Sequence, residues 1–409
     1  MATTWTDLYE DLHRHPELSF QEVRTAGIVA EHLGAMGFEV ATGIGETGVV
    51  GVLRNGDGPT VLVRADMDAL PVEEKTGLPY ASTVRATDPE GHDVAVAHAC
   101  GHDVHVTCLL AACEALAADR ATWSGTLLAV FQPAEELGLG AKAMVDDGLY
   151  ERFGTPVVVL GQHVAPLPAG MLGIHAGPTY SALDGLRVVL HGHGGHGSMP
   201  NATVDPVVMA ASTVMRLQTV VSREVPPSEF AVVTVGKLTA GTKANIIPDD
   251  AELLVNVRSY KESVRTKVLG AIDRIVRGEA AAAGATREPL IEHVESLDAV
   301  VNDPDAVERT RPALEASCAL LVDPGAIPGS EDVGHFATAA GAPCVYWVLG
   351  GADPDLFAGL TTLDEFVDRV GNLPGNHSPL YAPVPEPTIS IGTAALVAAA
   401  REWLAEGSG

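Results

Sequence analysis

The sequence predicts an α/β fold: a largely parallel-sheet domain interrupted by an inserted ferredoxin-like α+β lobe. Three observations carry this. Short β-branched runs alternate with helical stretches through the first part of the chain, and the same rhythm returns at the end. Between roughly 184 and 293 the order changes to β-α-β-β-α-β, the ferredoxin-like pattern. With 409 residues, the chain is too long for one ordinary core. The expected domains are therefore 1–183 and 294–409, which together make the α/β part, and 184–293 inserted between them.

Residues 5–37 read as one helix, with apolar positions at Leu8, Leu12, Val23, Ile28, Val29 and Leu33 and with Gly34 and Gly37 closing it. "TGVVGVL" and "TVLVRADM" are buried strands by their β-branched content and their glycine and proline boundaries. "VHVTCLLAACEALA" has helical spacing, "GTLLAVFQPAEE" is a strand running into a loop, "GAKAMVDDGLY" is helical and "PVVVLGQHV" is again a strand. In a parallel sheet, chemistry gathers where loops leave the carboxyl ends of strands. Asp66, Asp68, Glu135, Glu136 and His163 all fall at such ends. In the lobe, "DGLRVVLHGHGG", "FAVVTVGKL", "AELLVNVRSY" and "REPLIEHVES" are the strands, and "VDPVVMAASTVMRLQTVVSRE" and "SVRTKVLGAIDRIVRGEAAAA" the helices. Two further helices, strands such as "APCVYWVLGG" and a final amphipathic helix through Ile391, Ala395, Leu396 and Leu404 complete the chain.

The formal net charge of -28 repels phosphate backbones and anionic lipid, which argues against nucleic acid and membrane surfaces as partners. No apolar run approaches the roughly 20 residues that span a bilayer. The start, "MATTWTDLYEDLHRHPELSF", is acidic where a secretion signal would be basic and then apolar. Five sparse cysteines suit a reducing compartment, so a cytoplasmic address is expected.

Four clusters hold the chemistry: "RADMDALP", "HACGHDVH", "PAEE" with "GQHVAP", and "GNHSP". Imidazole, thiolate and carboxylate converging from different strands are what a divalent cation needs. One residue between Cys100 and His102 lets both face one ion. Adjacent glutamates can divide the work, one binding metal while the other accepts a proton from activated water. The sequence has no G-x-S-x-G elbow, Walker loop or H-E-x-x-H. Cys100 as nucleophile with His102 as base is a rival scheme, and metal removal separates the two because that scheme survives chelation.

Taken in order, "DLHRHPELSFQE", "RADMDALPVEE", "HACGHDVH", "VFQPAEELGLGAKAMVDDG", "GQHVAPLPAG", "GGHGSMPNATVDP", "KANIIPDDAEL", "GSEDVGHF" and "NHSPLYAP" resemble the metallopeptidase superfamily of aminoacylases, hippurate hydrolase and plant auxin–amino-acid conjugate hydrolases. The resemblance implies two divalent ions, zinc, manganese, cobalt or nickel, held by Cys100, His102, Glu136, His163 and His377. Glu135 would be general base and acid, and Asp68 and Asp103 would orient imidazoles. The inserted lobe would be a lid and dimerisation domain, in a homodimer or higher homo-oligomer. From it, His196 would reach the active site of a second copy and stabilise the oxyanion, and Asn245 would contact substrate. The implied reaction is hydrolysis of N-acyl or N-aroyl amino acids. A dipeptidase or carboxypeptidase using the same site, or an inactive metal-binding scaffold, are the alternatives.

Three features depart from that pattern. "ASTVRATDPEGHDVAVAHA" is longer and more polar than in relatives, "ERFGTPVVVLGQH" carries a few extra residues, and Asn201 stands where histidine is common.

Overall fold

The computed structural model describes residues 4–406. These form two compact units: one runs to Gly177 and takes in Val301–Gly325 and the chain from Asp332 onward, and the other is Pro178–Val300 with Ala326–Glu331.

The first unit is built on a sheet whose central strands Trp123–Gln132, Thr60–Asp66, Val158–Pro168 and Cys344–Ala352 lie side by side in that order, all parallel. Glu39–Ile44 and Gly48–Asn55 extend it antiparallel at one edge. Thr60–Asp66 is buried at every position after Thr60, as expected of a parallel strand covered on both faces. The parallel register sets Asp66 opposite Gln132 and Arg64 opposite Gly161, which gathers the carboxyl ends of three strands.

Helix His102–Ala118 is buried along most of its length, with apolar residues on every side, and helix Thr388–Trp403 packs against it. Gly101 explains why the helix begins where it does. Its φ is +83°, and a Cβ there would lie 2.4 Å from Val164 Cγ1. Only glycine lets the chain turn so closely between Cys100 and His102.

The single helix expected over 5–37 is two helices, Trp5–Arg14 and Val23–Ala35. Pro16 follows the first, and Phe20 adopts a φ of 61°, so the segment between is a folded connector. Leu18 bridges to Ala69. The second helix is capped from outside, because the Glu17 carboxylate accepts the N–H groups of Arg24 and Thr25 at 2.8 Å each. The polar segment that departs from the family pattern folds into a hairpin of Arg85–Thr87 and Asp93–Ala95. Towards the end of the chain the two further helices expected are three, Pro304–Glu315, Gly334–Ala340 and Leu363–Asn372, the last held by a Thr362–Glu365 capping box.

The second unit is a four-stranded antiparallel sheet in the order Ala231–Ala240, Asp250–Ser259, Ala182–His191, Leu290–Leu297. This is the strand order of a ferredoxin-like sandwich. Helices Pro206–Thr219 and Glu262–Ala282 pack against the sheet around Leu186, Leu253, Val268 and Ile272. Among the described residues no helix is long and apolar enough to cross a membrane.

Candidate metal centre

Cys100, His102, Glu136, His163 and His377, expected from four separate motifs, come together in the first unit. Ligand atoms of Cys100, His102 and His163 lie within 4.8 Å of one another, and so do those of Cys100, Glu136 and His377. The two triplets share the Cys100 sulfur. Glu135, Glu136 and His102 form a third such group.

Each imidazole is oriented by what it bonds. His102 Nδ1 lies 3.2 Å from Asp68 Oδ1, and His163 Nδ1 lies 2.8 Å from the Val164 carbonyl. In the neutral ring, donating there leaves each Nε2 with its lone pair inward. His163 Nε2 points at Cys100 Sγ, 3.5 Å away. His377 enters on a residue with a φ of 70°, pinned by its N–H to the Ala99 carbonyl at 2.7 Å, and its Nε2 is 3.3 Å from Glu136 Oε2.

His105 lies within 4.8 Å of Asp66 and His102 in a further such group, but both of its nitrogens are already bonded. Its Nδ1 is 2.5 Å from Asp66 Oδ1 and its Nε2 accepts the Val164 N–H at 2.8 Å, so neither nitrogen remains for a cation. Asp68 does orient His102. Asp103 does not orient a site imidazole: it lies 2.6 Å from His13 Nδ1, and His13 in turn reaches Glu74 at 3.2 Å.

The residues fit a cation. His102 Nε2 and Glu136 Oε1 are buried and make no hydrogen bond, although each such group normally has a partner. Both belong to the triplets. Around them Asp66, Asp68 and Glu135 are all buried. Burying so many carboxylates in one place is costly unless positive charge offsets it.

The protonation pattern points the same way. Burial pushes the Cys100 thiol up to about 12, with the Glu136 charge adding to it. Burial alone would lower His102, but the charge of Asp66 and the contact with Asp68 outweigh it and raise it well above the usual range. A cation held here would need the sulfur and the imidazole deprotonated, so its affinity would rise with pH.

Sequence reasoning missed several supporting residues. Asn376 Nδ2 bonds the carbonyls of Cys100 and Val164 at 3.1 Å each, tying the His377 loop to the Cys100 loop. Arg64 is 1% exposed and bonds Asp66, Gln132, Tyr346 and Asp332. A lone arginine inside the β-branched run "TVLVRADM" was the available signal for it. In the second unit, Gly195–His196 pairs antiparallel with Ile246–Ile247, and the Gly197 N–H bonds the Asn245 carbonyl at 2.9 Å. His196 and Asn245 are thus neighbours on an exposed turn. His196 Nδ1 accepts the Ser198 backbone N–H at 3.2 Å, which puts the ring proton on the outward Nε2.

Residues 62–375 match the model of peptidase family M20/M25/M40. Thermostable carboxypeptidase 1 of Saccharolobus solfataricus is 36% identical over 83% of this chain and 84% of its own length. Hippurate hydrolase of Campylobacter jejuni is 41% identical over 66% and 68%. The crystal structure of Bacillus subtilis YXEP, described as a dinuclear metal-binding peptidase of the M20 family, superposes with a TM-score of 0.76 at 28% identity, covering 97% of this chain and 96% of that one. This chain is therefore an enzyme belonging to peptidase family M20/M25/M40, a family of metal-dependent amidohydrolases and peptidases.

Proposed function

We propose that the enzyme hydrolyses the amide bond of N-acyl or N-aroyl amino acids, with two divalent ions held by Cys100, His102, Glu136, His163 and His377. The observation that carries this reading is the pair of ligand triplets sharing Cys100 Sγ. The imidazole, carboxylate and thiolate set suits zinc, manganese, cobalt or nickel. When bound, such ions supply a water acidic enough to ionise near neutral pH and polarise the scissile carbonyl.

The protein's own groups do the rest. Glu135, buried and with Oε2 3.8 Å from His102 Nε2, accepts the proton of the attacking water and returns it to the departing amine nitrogen. Asp68 and the Val164 carbonyl keep the two imidazoles aimed. His196, with its proton on Nε2, is the donor for the oxyanion, supplied from a second copy of the chain in a homodimer, and Asn245 beside it contacts substrate polar atoms. The inserted unit then serves as lid and dimerisation domain. Free cysteines among the described residues and an acidic net charge accord with a cytoplasmic enzyme.

A carboxypeptidase acting through the same residues is the second reading, favoured by the 36% identity to an enzyme of that name. A panel of N-acetyl, N-benzoyl and indoleacetyl amino acids beside acylated dipeptides, assayed before and after chelation and after return of Zn2+ or Mn2+, tests both. Turnover of the acyl amino acids that vanishes on chelation and returns with metal is expected. Cleavage of the dipeptide series alone establishes the carboxypeptidase, and activity that survives chelation overturns the metal mechanism.

A further inference from the structure

The turn that carries Glu135 and Glu136 is held by two carboxylates, and one of them has no part in the chemistry above. Ala134 sits in the left-handed region at φ 47°, a conformation that side chains seldom adopt, and it is fully buried. From this kink the N–H groups of three consecutive residues fan towards anionic oxygens. Those of Glu135 and Glu136 go to Asp68 at 3.2 and 3.0 Å. The N–H of Ala134 goes to Glu22 Oε1 at 2.9 Å.

Glu22 occupies the position where a helix-capping side chain is expected, immediately before Val23, yet its carboxylate makes no cap bond. Glu17 performs that task. Glu22 instead turns inward, is 0% exposed, and receives the Thr47 hydroxyl on its other oxygen at 2.5 Å. A buried carboxylate that neither caps its helix nor pairs with a cation is costly unless the groups it binds require it.

We propose that Glu22 is a positioning residue: by accepting the Ala134 N–H it fixes the left-handed turn, and through it the aim of Glu135 and Glu136. The inference rests on the reading of Glu135 as base and Glu136 as ligand. Burial, followed by the nearby charge of Asp68, pushes Glu22 up to about 7, so an uncharged acceptor is tolerated at this position.

Two substitutions separate positioning from mere packing. Glu22→Gln keeps an oxygen within reach of Ala134, whereas Glu22→Asp is one methylene too short to span Ala134 and Thr47 together. Groups that orient ligands are typically worth about 10- to 100-fold in activity or metal affinity. Glu22→Asp is therefore expected to lose about that factor in kcat and in affinity for Zn2+ alone, measured by chelator competition, with KM within about threefold of the parent. Glu22→Gln is expected to retain at least about a third of kcat. Circular dichroism and a thermal melt verify that each variant folds. If Glu22→Asp does not fold, Thr47→Val, which frees the second oxygen, replaces it with an expected several-fold loss.

A folded Glu22→Asp or its replacement with parental kcat and Zn2+ affinity overturns the proposal, and so does a Gln variant as impaired as the Asp one. Glu135→Gln measured alongside keeps the two readings apart. Full activity there refutes the base, while Zn2+ affinity in the Glu22 variants still reports on the turn through Glu136.

Discussion

The strand Thr60–Asp66 and the strand Asp250–Ser259 show how differently the two units spend their polar residues. The first is buried on both faces and carries Arg64 and Asp66 into the interior. The second alternates buried and partly exposed positions along its length, one face on the lobe's core and the other towards solvent. In the lobe, Arg187 pairs with Glu252 and Glu292 on that wet face, at 2.7 and 2.8 Å with its side chain 38% exposed. In the first unit, Arg64 meets Asp66 at 2.7 Å and Asp332 at 3.2 Å with its side chain fully buried. Chemistry that needs charge in a low dielectric demands a scaffold in which every charged group is answered. A sheet with one wet face makes no such demand.

The contrast can be broken in four places. The largest effect is expected at the base. Glu135→Gln should lower kcat by about 10²- to 10⁴-fold, while metal content, read by elemental analysis, stays at the parental value. Equal activity would remove Glu135 from the mechanism. Next comes Arg64→Leu, which leaves Asp66 and Asp332 buried without their cation. Breaking a buried pair typically costs about 3–5 kcal/mol, visible as a lower urea midpoint, and a neutral result would mean the network contributes only packing.

Third is His13. Burial alone would lower its imidazole, but Asp103 and Glu74 outweigh that and raise it to about 10. A folded value above the unfolded one of about 6.5 stabilises the protein fully below that pH, and the contribution is lost as pH rises through about 10. The stability gap between parent and His13→Gln should therefore narrow from pH 6.5 to 10, and a gap that is flat with pH would contradict the paired, protonated imidazole. The smallest effect is expected at Arg187→Ala. Exposed pairs contribute little and are screened by salt, so a urea midpoint lowered as far as that of Arg64→Leu would show that the lobe's charges matter as much as the buried ones.

Much of the candidate site was legible before any coordinates, because side chains able to hold a metal are chemically distinctive. Cys100, His102, Glu136, His163 and His377 could be picked out by residue type and by motif order. The groups that hold them were harder to see. Ser19, which bonds Asp68 at 2.6 Å, and Glu22, which bonds Ala134, lie in "HPELSFQE", a stretch absorbed by an expected continuous helix. Helical periodicity does bracket that stretch on either side, and the break depends on Pro16 and on the Leu18–Ala69 bridge, a contact across the chain that no local window contains. Asp103 is expected from the sequence to orient an imidazole of the site. In the fold its helix turns it towards His13.

What the sequence determined by itself is therefore the candidate chemistry and the layering: which side chains could bind a cation, where strands and helices alternate, and that a β-α-β-β-α-β stretch interrupts them. These follow from side-chain type and from periods of two and 3.6 residues, which are local properties. Only the tertiary structure decided which carboxylate answers which N–H, that one sulfur belongs to both ligand triplets, and that His105 is fully committed elsewhere. Those outcomes depend on distances between residues far apart along the chain, and in a buried, low-dielectric site each polar group takes the partner that folding brings within reach.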